Sequence, residues 1–382
     1  CANPTANPTT TTTYTVIGTN GSNCKDTATV TVTVNPLPNV SAGADKTICV
    51  GFGTTLQATG ATSYIWTPAT GLSFTNIPNP VATPVTTTTY TVTGTDGNGC
   101  IDTGVVTVNV NPQPVVSGGS NKIICLNDSV QLQGTGALSY AWSPSTGLSC
   151  INCVNPKASP ATTTTYTVIG TDINGCKDTA TVTVTVNPLP TVGAGSNQTI
   201  CNGSNIQLTA TGAVSYTWSP TTGLSCSNCP NPIANPTTTT TYTITGTNAN
   251  GCINTGQITI TVNQLPNVSA GSNQSICLND SAQLLATGAT SYLWSPVTGL
   301  SSSTISNPKA SPAVTTTYTV TGTDANGCVN NSSVIVTIKP LPTVSAGADV
   351  TICNGSSTQL QATGASSYSW TPTVGLSNAA IS

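Results

Sequence analysis

Cysteine is the residue whose number and spacing could do chemistry here. The chain holds 15. Most fall in two series with a step of 76: Cys24, Cys100, Cys176, Cys252 and Cys328, and Cys49, Cys125, Cys201, Cys277 and Cys353. Two further pairs have Cys-x-x-Cys spacing, Cys150-Ile151-Asn152-Cys153 and Cys226-Ser227-Asn228-Cys229. Such pairs serve as half-sites of tetrahedral zinc centres or as redox motifs at a helix start. No helix start is predicted beside either pair. Equivalent points one step apart lie roughly 35–40 Å from each other if a strand of about ten residues sets the length. Four thiolates cannot meet on one ion across that gap. Elsewhere both members of the pair vanish together, as Phe74 with Ile77 and Ser302 with Ile305. Local disulfides Cys150–Cys153 and Cys226–Cys229 are therefore expected. Cys1 occupies the second position of a further pair.

Acid–base catalysis usually recruits His or Glu, and the chain has neither. Its Asp residues are exchanged for Asn at equivalent positions: Asp96 and Asp172 match Asn20 and Asn248. A catalytic array would not be expected to tolerate that exchange, so no enzyme and no catalytic residue is expected. Asp96-Gly97-Asn98-Gly99 hints at calcium, but it lacks the alternating acids and distal Glu of an EF-hand loop, so no cofactor or metal is assigned. Only 4% of residues are charged, the net charge is −3 and every basic residue is lysine. That leaves no basic patch for nucleic acid. Fifteen cysteines at fixed spacing fit an oxidising compartment.

The elements that must position these residues repeat with them. Trp66, Trp142, Trp218, Trp294 and Trp370 are the five tryptophans, again 76 apart. A tyrosine stands two residues before each, and a second series runs Tyr14, Tyr90, Tyr166, Tyr242, Tyr318. No insertion breaks the register, so the chain is a tandem array of one module. It opens at Cys1 and closes at Ser382 in mid-repeat, without initiator Met, signal peptide or a membrane-spanning apolar run, and reads as a window from a longer protein. The expected division is a partial module 1–35 (strands F–G), modules 36–111, 112–187, 188–263 and 264–339, and a partial module 340–382 (strands A–C). Pro-rich joints such as Pro36-Leu37-Pro38 and Pro112-Gln113-Pro114 stiffen the boundaries.

Within one module the pattern is short strands with turns between them. Val40 to Ile48 reads as an edge strand A, with Cys49 in the turn to strand B near Thr55–Thr59. Ser63–Thr67 reads as strand C, with Tyr64 and Trp66 on one face. A short strand follows near Val81-Ala82. Thr86–Asp96 is strand F, Gly97-Asn98-Gly99 a hairpin turn, and Val106, Val108 and Val110 alternate along strand G. There is no helical period. The fold class is all-β: a tandem array of 76-residue immunoglobulin-like sandwiches. Trp66 falls where such a sandwich buries its central aromatic. Tyr90 falls at the tyrosine corner. Trp66, Trp142, Trp218, Trp294 and Trp370, with Tyr90, Tyr166, Tyr242 and Tyr318, are expected as core residues rather than as a carbohydrate-stacking platform.

The string Ala42-Gly43-Ala44-Asp45-Lys46-Thr47-Ile48, then Thr55-Leu56, Tyr64-x-Trp66, Tyr90-Thr91-Val92 and Asp96-x-Asn98-Gly99, resembles the PKD family of immunoglobulin-like domains. More narrowly, it is similar to PKD-like repeats of very large Bacteroidota surface proteins, many linked to gliding motility or type IX secretion. The resemblance covers the whole chain. One departure stands out: the family follows its Trp with Asp-Phe-Gly-Asp-Gly, and here Trp66 is followed by Thr67-Pro68-Ala69-Thr70-Gly71-Leu72. The resemblance also implies the O-glycosylation signature of those secreted proteins. It matches at Thr27, Ser129, Thr179 and Ser281, each after an Asp and in stretches read as exposed turns.

The topology then constrains the long-range disulfides. Pairing within a module, Cys49 with Cys100, asks two cysteines at opposite ends of a strand of roughly 30 Å to meet, whereas a disulfide needs Cα atoms roughly 4.4–6.8 Å apart. In tandem, the A–B turn of one module faces the F–G hairpin of the next. The expected map is therefore inter-module: Cys49–Cys176, Cys125–Cys252 and Cys201–Cys328. Cys24, Cys100, Cys277 and Cys353 would find partners outside the chain.

The function expected from this is the structural repeat region of an extracellular, cell-surface fibre or stalk, whose partners are neighbouring modules or further copies. One alternative is an adhesin whose repeats bind glycans or surfaces; another is a spacer carrying a distant functional domain. An exposed row of aromatics would favour adhesion, and buried ones the fibre or spacer.

Overall fold

The computed structural model describes residues 3–381. The chain divides into two compact halves, Cys1–Pro188 and Leu189–Ser382. All regular elements among the described residues are strands.

The first half opens with a hairpin of β1 (Thr12–Thr19) and β2 (Lys25–Val32). The next sandwich contains β3 (Lys46–Cys49), β4 (Thr54–Thr55), β5 (Ser63–Thr67), β6 (Val81–Ala82), β7 (Thr88–Thr95) and β8 (Ile101–Asn111). One sheet has the order β5-β7-β8-β3, and β4-β6 forms a second. Only β3 runs parallel to its neighbour, with Cys49 opposite Asn111. Bridges Ser41↔Thr59 and Leu72↔Ala82 extend the second sheet. This is the C-F-G-A′ over A-B-E arrangement of an immunoglobulin-like sandwich. The pattern recurs in β9 (Lys122–Cys125), β10 (Val130–Gln131), β11 (Ser139–Ser143), β12 (Lys157–Ala158), β13 (Thr164–Thr171) and β14 (Lys177–Asn187).

The second half repeats it twice. One sandwich is β15 (Gln198–Cys201), β16 (Ile206–Gln207), β17 (Ser215–Ser219), β18 (Ile233–Ala234), β19 (Thr240–Thr247) and β20 (Ile253–Asn263). The other is β21 (Gln274–Cys277), β22 (Ala282–Gln283), β23 (Ser291–Ser295), β24 (Lys309–Ala310), β25 (Thr316–Thr323) and β26 (Val329–Lys339). A short pair, β27 (Tyr368–Ser369) and β28 (Ala380–Ile381), ends the described chain.

Strand A differs from the expectation. Val40–Ile48 is not one edge strand. Ser41 bridges Thr59 in one sheet, the chain crosses over at Gly43, and Lys46–Cys49 pairs with β8 in the other. Gly43 has φ +78, a conformation that favours glycine. Cys49 is consequently the last residue of a strand rather than part of the A–B turn. Opposite strand B, Pro80 and Pro78 accept the amides of Leu56 and Ala58. Proline returns no N–H, so this pairing is one-sided and the regular strands β4 and β6 stay short.

Alternation places Leu56, Trp66, Ala82, Tyr90, Val92, Val106 and Val108 in one core. Leu132, Trp142, Ala158, Tyr166, Val168, Val182 and Val184 repeat it in the next sandwich. Among the described residues no second sheet covers the inner face of the β1–β2 hairpin, and Tyr14, Val16 and Val30 are exposed.

Candidate functional site: the bridged end of each sandwich

Asn111 is the last residue of β8, and the Pro112-Gln113-Pro114 joint begins beside it. Cys49 sits at this end because β3 runs parallel to β8 and stops level with it; Val50 N–H donates to Asn111 O at 2.9 Å. Cys100 immediately precedes β8, at the opposite end of the sandwich. The following sandwich presents its own hairpin cysteine, Cys176, to the same joint. Cys49 and Cys176 are disulfide-bonded with Cα atoms 5.6 Å apart. In the second half Cys201 and Cys328 are bonded with Cα atoms 5.5 Å apart. Cys125 and Cys252 are each disulfide-bonded as well. Cys24, Cys100, Cys277 and Cys353 are free thiols.

An Asx side chain holds each bridging hairpin. Asp172 Oδ1 accepts the N–H groups of Asn174 and Cys176, both at 2.8 Å. Asp324 does the same for Asn326 and Cys328. Asn248 replaces Asp with equal geometry, accepting from Asn250 and Cys252 at 3.0 Å. The interchange seen in sequence follows: the role needs an acceptor oxygen, not a charge. Asp96, in the loop that hints at calcium, spends Oδ1 on Asn98 N–H and Cys100 N–H. Among the described residues no cluster of three or more metal-ligating side chains forms.

Cys150–Cys153 and Cys226–Cys229 are closed locally, each with Cα atoms 6.0 Å apart. They lie in the loop that serves the core tryptophan: Trp142 Nε1–H donates to Cys153 O and Trp218 Nε1–H to Cys229 O. Where the pair is absent, Ile77 O and Ile305 O accept from Trp66 and Trp294. The carbonyl is what the core needs.

Trp66, Trp142, Trp218 and Trp294 are 1–3% exposed. Tyr90, Tyr166, Tyr242 and Tyr318 are fully buried, and each O–H donates to a backbone carbonyl 20 residues upstream, as Tyr90 does to Thr70 O at 2.8 Å. Burial raises their pKa values. Trp370 departs from the core expectation. It is half-buried, because residues 340–381 contain no pair equivalent to β7–β8 to cover it.

The four residues that match the glycosylation signature are all exposed. Ser129 and Ser281 lie in loops, but Thr27 lies in β2 and Thr179 in β14, rather than in turns. One positional role is absent from the expectations. Asp45 Oδ1 accepts Thr107 N–H at 2.7 Å, and Asn121, Asn197 and Asn273 do the same one step apart, fixing the approach of A′ to strand G. The signal was the 76-residue recurrence of Asp or Asn.

No protein-family model matches the chain, and no curated protein is similar to it at a significant level. Solved structures that match include tandem immunoglobulin arrays. The N-terminal eight Ig domains of DSCAM are 12% identical, with 86% of this chain and 52% of that one covered and a TM-score of 0.35. This chain thus spans about half the length of that fragment. The titin I67–I69 fragment is 12% identical over 61% of this chain and 100% of its own, at a TM-score of 0.34. The insect immune protein hemolin is 11% identical over 80% and 100%, at 0.25. The assignment to tandem immunoglobulin-like sandwiches rests on strand order and register, not on these likenesses. None of the described residues forms a helix long and apolar enough to cross a membrane.

Proposed function

We infer that this chain is the structural repeat region of an extracellular fibre or stalk. The observation that carries the reading is the Cys49–Cys176 bond, which ties one end of a sandwich to the hairpin of the next beside a Pro-rich joint. A second covalent tie beside the peptide linker removes freedom from a hinge that a single linker leaves mobile. Disulfides of this kind persist in an oxidising, extracellular setting. The missing His and Glu speak for a non-enzymatic role. The residue pattern supports PKD-like repeats of a large Bacteroidota surface protein exported by type IX secretion, with O-glycans at Thr27, Ser129, Thr179 and Ser281. The sandwich cores, the 76-residue step and the Pro joints support the division at 36, 112, 188, 264 and 340.

An adhesin reading gains nothing from the aromatic residues, because the complete sandwiches bury their tryptophans and corner tyrosines. Antibody labelling of intact source cells tests the reading, together with a glycan array probed with the 382-residue chain. Surface labelling along extended filaments with no glycan bound is expected. Retention inside the cell, or selective glycan binding abolished by mutating exposed side chains, would replace it.

A further inference from the structure

We propose that the disulfides make the array inextensible, by carrying tension along a covalent path that bypasses the interior of each bridged sandwich. From Val40 the chain runs to Cys49, crosses to Cys176 and follows β14 to Asn187. It continues through Pro188-Leu189-Pro190 to Cys201, crosses to Cys328 and follows β26 to Lys339. Residues 50–175 and 202–327 lie off this path, inside loops closed between cysteines 127 apart in sequence. Those loops hold strands B to G of the first sandwich of each half, and strands A to F of the second.

The path has almost no length to give. Strands β14 and β26 are already extended, at ~3.3 Å per residue against a limit of ~3.6 Å, so they stretch by about a tenth. The A–A′ segment is nearly as taut. Val40 lies against Gly104, where an added Cβ would stand 3.1 Å from Val40 O, and Cys49 is level with Asn111. Nine residue steps on A–A′ therefore cover the length of seven on β8, leaving ~7 Å of slack at the Gly43 crossover. The second half repeats this, with Val192 O against Gly256 and Cys201 level with Asn263. A free 76-residue module would instead lengthen by ~200 Å on unfolding. Tension in the bridged array meets covalent bonds before it pulls on the strands inside the closed loops.

This deepens the fibre reading and rests on it for its biological use; the mechanical property is testable on the isolated chain whichever way that reading falls. The 382-residue chain is held by its two ends in an optical trap. The oxidised chain is expected to show no unfolding increments of module size. Thiol reductant added at constant force should then release about 254 residues in all, roughly 900 Å of contour, with a last step of about 127 residues; while a Cys125–Cys252 bridge is still intact the first step is shorter, about 102 residues. After reduction, repeated pulling should show increments of about 76 residues. The double variant Cys49→Ser, Cys201→Ser should show module-sized increments without reductant. If that variant misfolds, reduction of the wild-type chain in the trap decides alone. Module-sized increments in the oxidised chain would overturn the proposal. So would reductant steps of about 51 residues, the separation of Cys49 from Cys100, or no step at all.

Discussion

Cys49 stands opposite Asn111, at the last register position of the parallel β3–β8 pair. Cys100 lies beyond the other end of β8, a strand of 11 residues and so about 35 Å away. The strand holds these two cysteines apart, and only a hairpin from a neighbouring sandwich can reach Cys49. Non-reducing peptide mapping is therefore expected to give the linked peptides Cys49–Cys176, Cys125–Cys252 and Cys201–Cys328. In the isolated 382-residue chain, Cys24, Cys100, Cys277 and Cys353 should alkylate without reductant. A Cys49–Cys100 peptide would sink this map.

Each long bridge closes a 127-residue separation. In the chain-entropy model that contributes up to about 5 kcal/mol. The variant Cys201→Ser should lower the denaturant midpoint accordingly, while the near-ultraviolet signal of the buried tryptophans stays native before unfolding. Loss of that signal in the folded variant would mean the bridge shapes the core as well as the joint.

Trp142 fills its core and Trp370 only half-enters one. The substitution Trp142→Ala is expected to cost about 3–5 kcal/mol, the range for buried aromatic truncation. Trp370→Ala should cost well under half of that. Iodide should quench one tryptophan of the five readily; quenching of all five would reject the core assignment.

Stability should be flat through neutral pH and fall in alkali. Burial raises the pKa of Tyr90, Tyr166, Tyr242 and Tyr318. The folded state thus holds these protons more tightly than the unfolded chain does. Their contribution is complete below the unfolded tyrosine pKa of about 10 and is lost as pH rises through the folded values. Denaturant midpoints measured from pH 7 to 12 should drop only above about pH 10. The variant Tyr166→Phe should remove part of that drop, at a cost of about 1 kcal/mol for the lost bond to Thr146 O.

Much of the sandwich was legible in sequence because alternation directly encodes which face is buried. Tyr64 and Trp66, two apart, place a strand at Ser63–Thr67, and β5 coincides with it. Strand A was not legible in the same way. Val40, Ala42 and Ile48 alternate as one strand would, yet the chain changes sheets at Gly43. Side-chain alternation says nothing about which neighbour a backbone pairs with. The Asx roles were half legible: the Asp/Asn exchange argued against catalysis, but naming Asp45 or Asp172 as a clamp required knowing which amides face it.

The hairpin clamp yields the last prediction. Asp172 Oδ1 accepts two amides, one of them from the bridging Cys176, and Asn248 performs the same task without charge. Replacing Asp172 by Asn should therefore leave stability within about 0.5 kcal/mol of wild type. Replacing it by Ala leaves the Cys176 amide without this acceptor inside a half-buried turn, at a cost of about 1–2 kcal/mol. The bridge itself should also loosen, because the turn sets where Cys176 Sγ points. Reduction of Cys49–Cys176 by a small thiol, followed by mass spectrometry, should be faster in Asp172→Ala and unchanged in Asp172→Asn. Equal acceleration in both would mean that the carboxylate charge, rather than its geometry, protects the bond.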